Sequence, residues 1–171
     1  MLGAIIAAGA TALVPSPLLA AMPERRLAFR NVHNNERADA CYYSQGRFRL
    51  DGIAELNHAM RDWRNGDIAR MDPDLFDLLV GVREKLGLGT STKFELISGY
   101  RSPATNAMLH ERSGAVASKS QHLLGKAADV HIPGIPLERL HAAGMAMNRG
   151  GVGYYPVDGF VHLDTGPVRT W

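Results

Sequence analysis

Strand patterns near both ends of the chain, with helical patterns between them, limit the possible folds most. Alternating apolar and aromatic residues at positions 27–50, interrupted by the turn-forming Asn34-Asn35-Glu36, predict short antiparallel strands. Near the other end, Val152–Tyr155 and Phe160–Asp164 are expected to form a hairpin around a turn at Asp158-Gly159. We therefore predict an α+β domain in which helices pack on one side of a mainly antiparallel sheet.

Two apolar stripes at helical spacing predict the helices that cover this sheet. Asp51 is expected to cap the first helix, and Asp72-Pro73 has the preferred order of a cap followed by the first helical residue for the second. Further elements are expected as a strand over Lys93–Ile97, a helix from Ser102-Pro103 with Gly114 as its stop, a strand over Lys126–Ile132 and a helix over Pro136–Met147.

The first 22 residues differ from the rest because they carry no charged side chain. The small residues Leu18-Leu19-Ala20-Ala21 follow an apolar run, as at the end of a secretory signal peptide, although a basic start is missing. Pro15 and Pro17 interrupt the run, so a stable membrane span is not expected. We assign residues 1–22 as a signal-like segment and residues 27–171 as a single domain; a partly buried N-terminal helix is the alternative.

Charge and cysteine content exclude several classes of function. The formal net charge is +2, and basic residues are scattered among acidic ones without the clustering typical of nucleic-acid binding, so nucleic acid is not expected as a partner. Cys41 is the only cysteine, which excludes an intramolecular disulfide and a cysteine-based zinc site. A metal site in this chain would have to use histidine and carboxylate ligands, which suit a catalytic site better than a structural one.

One segment has the composition of such a site. His122 ends a polar loop, Gly125 allows a tight turn, and Asp129 lies on the strand that follows. His162, in the middle of the last hairpin, is the natural third ligand. Two imidazoles and a carboxylate leave a fourth position on Zn²⁺ for a water molecule, which the metal activates for hydrolysis. By spacing alone, a His-x6-Asp pair is more often unrelated to metal binding. His131 shares a strand face with Asp129 and is a candidate to support that ligand.

The same residues resemble a known family. The segment Ser120-x-His122-x-x-Gly125-x-Ala127-x-Asp129 is similar to the signature of the zinc D-Ala-D-Ala peptidases, which belong to the group of lysostaphin, D-Ala-D-Ala carboxypeptidases and the sonic hedgehog domain. The closer likeness is to the murein endopeptidase K (YcbK-like) branch, in segments 98–106, 151–155 and 160–167. This resemblance implies a hedgehog-like fold and a zinc peptidase domain over residues 27–171.

The resemblance implies a zinc metallopeptidase that cleaves peptide cross-links in peptidoglycan, with His122, Asp129 and His162 as the Zn²⁺ ligands. It also implies that Arg101 grips a substrate carboxylate or carbonyl. The expected partner is the peptidoglycan peptide, and the expected location is the periplasm of a Gram-negative cell envelope after export. A carboxypeptidase that removes D-Ala and a non-catalytic, zinc-containing wall-binding module are the alternatives. The sequence leaves the cleaved bond, the activating partners and the oligomeric state undetermined.

One departure from the family pattern concerns the general base. Related carboxypeptidases carry a catalytic acid three residues before the last histidine ligand, where this chain has Gly159. Asp164 is two residues after His162 and projects from the same strand face, so we predict Asp164 as the base; a structural role, or support of a metal ligand, is the alternative. Asp158 is the rival, but an Asp-Gly turn explains Asp158 without a chemical role.

Overall fold

The computed structural model describes residues 23–113 and 117–171. The predicted signal-like segment at 1–22 and the predicted helix stop at Gly114 lie outside the described residues. The strands, in chain order, are Arg25–Asn31 (β1), Arg37–Ser44 (β2), Arg47–Phe48 (β3), Lys93–Ser98 (β4), Ala127–His131 (β5), Gly151–Tyr155 (β6), Phe160–Asp164 (β7) and Arg169–Thr170 (β8). The helices are Leu50–Ala59 (α1), Pro73–Lys85 (α2), Pro103–Ser113 (α3) and Leu137–Met145 (α4), and Gln121–Leu124 forms one 3₁₀ turn.

All eight strands form one sheet in the order β3-β2-β1-β4-β5-β7-β6-β8. The β1/β4 and β6/β8 pairs are parallel, and the other neighbouring strands are antiparallel. The prediction of an α+β fold with a mainly antiparallel sheet is confirmed. Strand β7 lies between β5 and β6, so the last hairpin extends the sheet beyond β5.

Three helices pack on this sheet: α1 contacts β1 and β2, α2 contacts β1 and β7, and α4 contacts β6 and β7. Their apolar stripes meet the sheet in one core that includes Leu56, Phe76, Leu79, Val130 and Leu163. Each of these side chains is fully buried. Burial of this kind stabilises a fold by roughly 1.5–3 kcal/mol per large apolar side chain, before the loss of conformational entropy is counted.

The start of α2 was predicted correctly and the start of α1 was not. Asp72 caps α2 by accepting a hydrogen bond from the backbone N–H of Asp74 at 3.0 Å, and Pro73 is the first helical residue. In α1 the cap position belongs to Arg49, which makes no side-chain cap bond. Asp51 instead lies exposed in the first turn and accepts hydrogen bonds from the Arg49 guanidinium.

The two faces of strands β5 and β7 serve different purposes. Ala128, Val130, Val161 and Leu163 belong to the apolar core. Because alternate side chains on a strand point to opposite faces, the residues between them lie on the other face. Asp129 and His162, which are register partners, are therefore presented together on the face away from that core. Among the described residues, no helix is long and apolar enough to cross a lipid bilayer.

Candidate metal centre

The structure brings together the three side chains that the sequence predicted as ligands. His122 Nε2 lies 3.2 Å from Asp129 Oδ1 and 3.2 Å from His162 Nδ1, and His162 Nδ1 lies 2.8 Å from Asp129 Oδ1. All three residues are buried. These three atoms form a small triangle of donors on the same face of the sheet.

The size of this triangle fits a tetrahedral metal ion. Ligand distances of about 2.0–2.1 Å from Zn²⁺ place neighbouring donors of a tetrahedron about 3.3 Å apart. The observed separations of 3.2, 3.2 and 2.8 Å are close to this value. An ion would therefore need only small movements of the side chains to bind all three residues.

Local chain geometry fixes His122 in this position. The 3₁₀ turn that carries His122 begins after Ser120, whose hydroxyl accepts a hydrogen bond from the His122 N–H at 3.3 Å. The turn ends at Gly125 with a φ of 66°, in the left-handed region that glycine adopts without strain. A Cβ at Gly125 would also lie 2.6 Å from the carbonyl oxygen of Arg70. Gly125 thus allows the chain to reverse from the loop histidine into β5.

The backbone directly after β4 accepts a hydrogen bond from His122, and this bond sets the tautomer of the ring. The register between β4 and β5 shifts between Leu96 and Ser98, and the chain then bends away through Gly99. The Gly99 carbonyl accepts a hydrogen bond from His122 Nδ1 at 2.6 Å. Because Nδ1 carries the proton in that bond, the lone pair of Nε2 points into the donor triangle, as a metal ligand requires.

Asp164 performs the corresponding task for His162. The Asp164 Oδ2 atom accepts a hydrogen bond from His162 Nε2 at 2.8 Å, which leaves His162 Nδ1 facing the triangle. The Asp164 carboxylate also accepts bonds from the backbone N–H groups of Gly151 and Gly166 and from two nitrogens of Arg169. It is fully buried and all of its contacts are hydrogen-bond donors. A carboxylate behind a ligating histidine in this way orients the ring and increases its basicity.

This arrangement does not fit the prediction that Asp164 is the general base. Its carboxylate lies behind the imidazole of His162, on the side away from the donor triangle, and its oxygens are already occupied. His162 and Asp164 share a strand face, and Asp164 bonds the far nitrogen of the ring, which corresponds to the alternative role of supporting a ligand. The rival Asp158 lies exposed in the turn between β6 and β7. His131 Nδ1 hydrogen-bonds the carboxylate of Glu95 at 3.0 Å.

Burial and the neighbouring charges act differently on the protonation of the three predicted ligands. Burial lowers the pKa of His122 more than the Asp129 carboxylate raises it, so the ring is held neutral. Burial also disfavours ionised Asp129, but the two histidines outweigh this effect and hold its pKa well below the usual range. Although burial opposes a charged His162, hydrogen bonds to Asp129 and Asp164 raise its pKa overall. A position that favours positive charge between these groups also favours a metal cation.

Arg101 lies at the edge of the triangle. One of its terminal nitrogens is 3.8 Å from Asp129 Oδ2, and its backbone N–H bonds the His122 carbonyl at 3.2 Å. Its side chain is only 11 % exposed. The structure therefore places the residue predicted to grip substrate directly beside the residues predicted to hold metal.

Comparison with known proteins identifies the family. Residues 19–171 match the family described as "Peptidoglycan L,D-endopeptidase MepK". The chain belongs to this family. A protein of that name from Escherichia coli (strain K12) is 43% identical over 169 residues, which cover 97% of this chain and 91% of the relative. A "Probable peptidoglycan L,D-endopeptidase MepK" from Haemophilus influenzae is 40% identical over 162 residues, which cover 93% of this chain and 87% of the relative.

The family membership predicted from the motifs is thus confirmed, and the family is one of peptidases. No solved structure gives a significant match to the chain. Sequence reasoning did not identify Arg169, which bonds Asp164, or Trp171, whose ring centre lies 5.2 Å from that of His162. Both residues follow the recognised motif by a few positions, and no spacing rule connects them to the ligands.

Proposed function

We propose that this chain is a zinc-dependent peptidoglycan endopeptidase that hydrolyses an L,D peptide bond in the cross-links of the cell wall. The substrate class comes from the printed names of the relatives and the family. The observation that carries the mechanism is the buried donor triangle of His122, Asp129 and His162, whose dimensions match one tetrahedral ion. Zn²⁺ in such a site would supply a polarised carbonyl and an activated water.

In this proposal the residues around the metal site bind the ion, orient its ligands and position the substrate. His122 and His162 would each present one lone pair to the ion, because the other ring nitrogen donates a hydrogen bond to the Gly99 carbonyl or to the Asp164 carboxylate. Asp129 supplies negative charge that favours a dication. Arg101 presents its guanidinium beside Asp129, where it can orient a carbonyl or carboxylate of the bound peptide. Asp164 is a positioning residue in this proposal and not the proton acceptor.

The function of the relatives also supports a location. Since the cell wall lies outside the cytoplasm, we propose that the mature protein works in the periplasm, with residues 1–22 as the export segment and residues 27–171 as one peptidase domain.

Mass spectrometry of digested muropeptides tests the proposal. Purified wild-type protein should convert cross-linked dimers into monomers, a chelator should abolish the conversion, and added Zn²⁺ should restore it. His122→Ala should be inactive, whereas the matched control His58→Ala, which alters a helical surface of α1, should retain activity. Full activity of His122→Ala would refute the proposed metal site.

The same digestion separates the two alternative functions. Release of terminal D-Ala from uncross-linked pentapeptides, without cleavage of dimers, would indicate a carboxypeptidase. Stoichiometric binding of zinc and peptidoglycan without any product would indicate a wall-binding module.

A further inference from the structure

A second arginine, Arg64, lies in a loop that is joined to the segment of Arg101, and its side chain contacts Trp63. The rings of His33 and Trp63 are stacked, with centres 4.0 Å apart and planes inclined by 15°. The Arg64 guanidinium carbon lies 4.3 Å from the centre of the same Trp63 ring. Trp63 therefore holds the Arg64 side chain in place by a cation–π contact.

Hydrogen bonds tie the loop that carries Arg64 to the segment that carries Arg101. Asp62 is fully buried and accepts bonds from the backbone N–H of Arg64 at 3.1 Å and of Ser102 at 2.9 Å. The Asn65 side-chain amide donates to the Ser102 hydroxyl at 3.0 Å. Arg64 and Arg101 thus belong to two segments that are fastened together by one buried carboxylate, next to the donor triangle.

Both guanidinium groups have unused capacity to bind an anion. Among the described residues Arg64 makes no ion pair with a carboxylate within 4.0 Å. The Arg101 Nε atom is buried without a hydrogen-bond partner, and its terminal nitrogens make only long contacts, at 3.5 Å to Asn106 and 3.8 Å to Asp129. Burial lowers the pKa of Arg101, attraction to Asp129 opposes this, and the nearby charge of Arg64 lowers the pKa further.

The positive charges of Arg64 and Arg101 oppose each other, and an anion bound by both would offset that repulsion. We propose that Arg64 and Arg101 form a carboxylate-binding subsite beside the metal centre, and that this subsite selects cross-links in which the carboxylate nearest the scissile amide is free. The planar fork of a guanidinium matches a carboxylate and pairs poorly with the N–H groups of a carboxamide. Amidated cross-links are therefore poor substrates. This inference rests on the proposed endopeptidase function.

Two cross-linked peptides that differ only in this group, carboxylate or carboxamide, test the subsite. Wild-type enzyme loaded with zinc should cleave the carboxylate form with a kcat/KM at least about tenfold higher, which corresponds to about 1.4 kcal/mol. Arg64→Gln should lose most of this preference through a higher KM for the carboxylate form, with little change for the carboxamide. Arg64→Lys should recover part of it, because charge returns without the fork.

Arg47→Gln provides the matched control, since Arg47 is an exposed arginine on β3, at the far edge of the sheet. It should leave the preference unchanged. Equal cleavage of both peptides by the wild type, or an unchanged preference in Arg64→Gln, would overturn the subsite while the endopeptidase function stands.

A binding measurement keeps the two proposals separable. Calorimetry with the uncross-linked carboxylate and carboxamide fragments should give tighter binding of the carboxylate to the wild type and an equal affinity for both in Arg64→Gln. If the wild type cleaves neither cross-link, the proposed endopeptidase function is wrong. The difference in affinity between the carboxylate and carboxamide fragments then tests the carboxylate-binding subsite independently.

Discussion

Replacing Asp164 by asparagine distinguishes a residue that holds a ligand from one that accepts a proton during hydrolysis. In the wild type, Asp164 Oδ1 accepts from Gly151, Gly166 and Arg169, and Oδ2 accepts from His162 and Arg169. An asparagine amide has one acceptor oxygen and one NH₂ group. Whichever position the NH₂ group takes, its hydrogens face at least two other donors.

The cost of this mismatch follows from the geometry. In either position one of these donors is buried, His162 Nε2 or the Gly151 N–H, and a buried donor without an acceptor destabilises a protein by about 1–3 kcal/mol. The Arg169 side chain is 40% exposed, so its unpaired nitrogen can bind water instead. The His162 ring also loses the charged partner that fixes its tautomer. Loss of such a partner behind a ligating histidine weakens metal binding by about 10–100-fold. We therefore expect Asp164→Asn to bind zinc more weakly and to unfold at a lower denaturant concentration.

Zinc competition with a chromophoric chelator measures the first effect, and urea unfolding measures the second. Asp158→Asn is the control, because this exposed turn residue should change neither quantity. A general base would give a different pattern, in which kcat falls while zinc affinity stays at the wild-type value. Zinc affinity within twofold of the wild type in folded Asp164→Asn would refute the positioning role.

Three further predictions concern the surroundings of the site. In Gly99→Ala, the new Cβ would lie 2.4 Å from the Met60 carbonyl oxygen, so the free energy of unfolding measured in urea should fall by about 1–3 kcal/mol. Gly89→Ala is the control, because a Cβ there meets no atom within 4 Å and should leave the free energy of unfolding nearly unchanged. Asp62 has a lowered pKa because bonds from Thr105 and Ser102 outweigh the opposing effect of burial. Its stabilisation is present above the unfolded pKa of about 3.9 and is lost as pH falls further, so Asp62→Asn should flatten the acid limb of stability measured by urea unfolding between pH 7 and pH 2. Removing zinc that was present at 100 times its Kd should lower the free energy of unfolding by about 2.7 kcal/mol, visible as a lower Tm in calorimetry; an unchanged Tm would contradict binding to the folded state.

Features with local causes could be predicted from the sequence. The Asp72-Pro73 start of α2 and the last hairpin depend on residues that are neighbours in the chain. His122 and Asp129 are also close in sequence, and the turn at Gly125 that brings them together has its own signal. The third ligand, His162, was predicted from its place in the middle of the last hairpin and then from the family resemblance, and the pairing of β5 with β7 makes it a neighbour of Asp129.

Features that depend on distant contacts could not be predicted in this way. The predicted start of α1 was wrong because the local capping signal at Asp51 competes with the packing of the helix on β2. Gly52 lies so close to β2 that a Cβ on it would be 2.0 Å from the Cys41 carbonyl oxygen. The direction of Asp164 is set by Arg169 and by two backbone N–H groups from other segments. The position of Arg64 relative to Arg101, which is 37 positions away in the chain, likewise depends on the distant contacts of Asp62.

Strand β7 carries apolar core residues and polar site residues at alternate positions, and this alternation has a consequence for assembly. A slip of one residue against β5 would turn His162 and Asp164 into the apolar core and would move Val161 and Leu163 to the polar face that holds the site. The misaligned chain would lose its apolar core contacts and would no longer hold the ligand residues in position to bind a metal ion. The register of this one strand is therefore fixed by two requirements. Its apolar residues must reach the core, and its polar residues must reach the metal site.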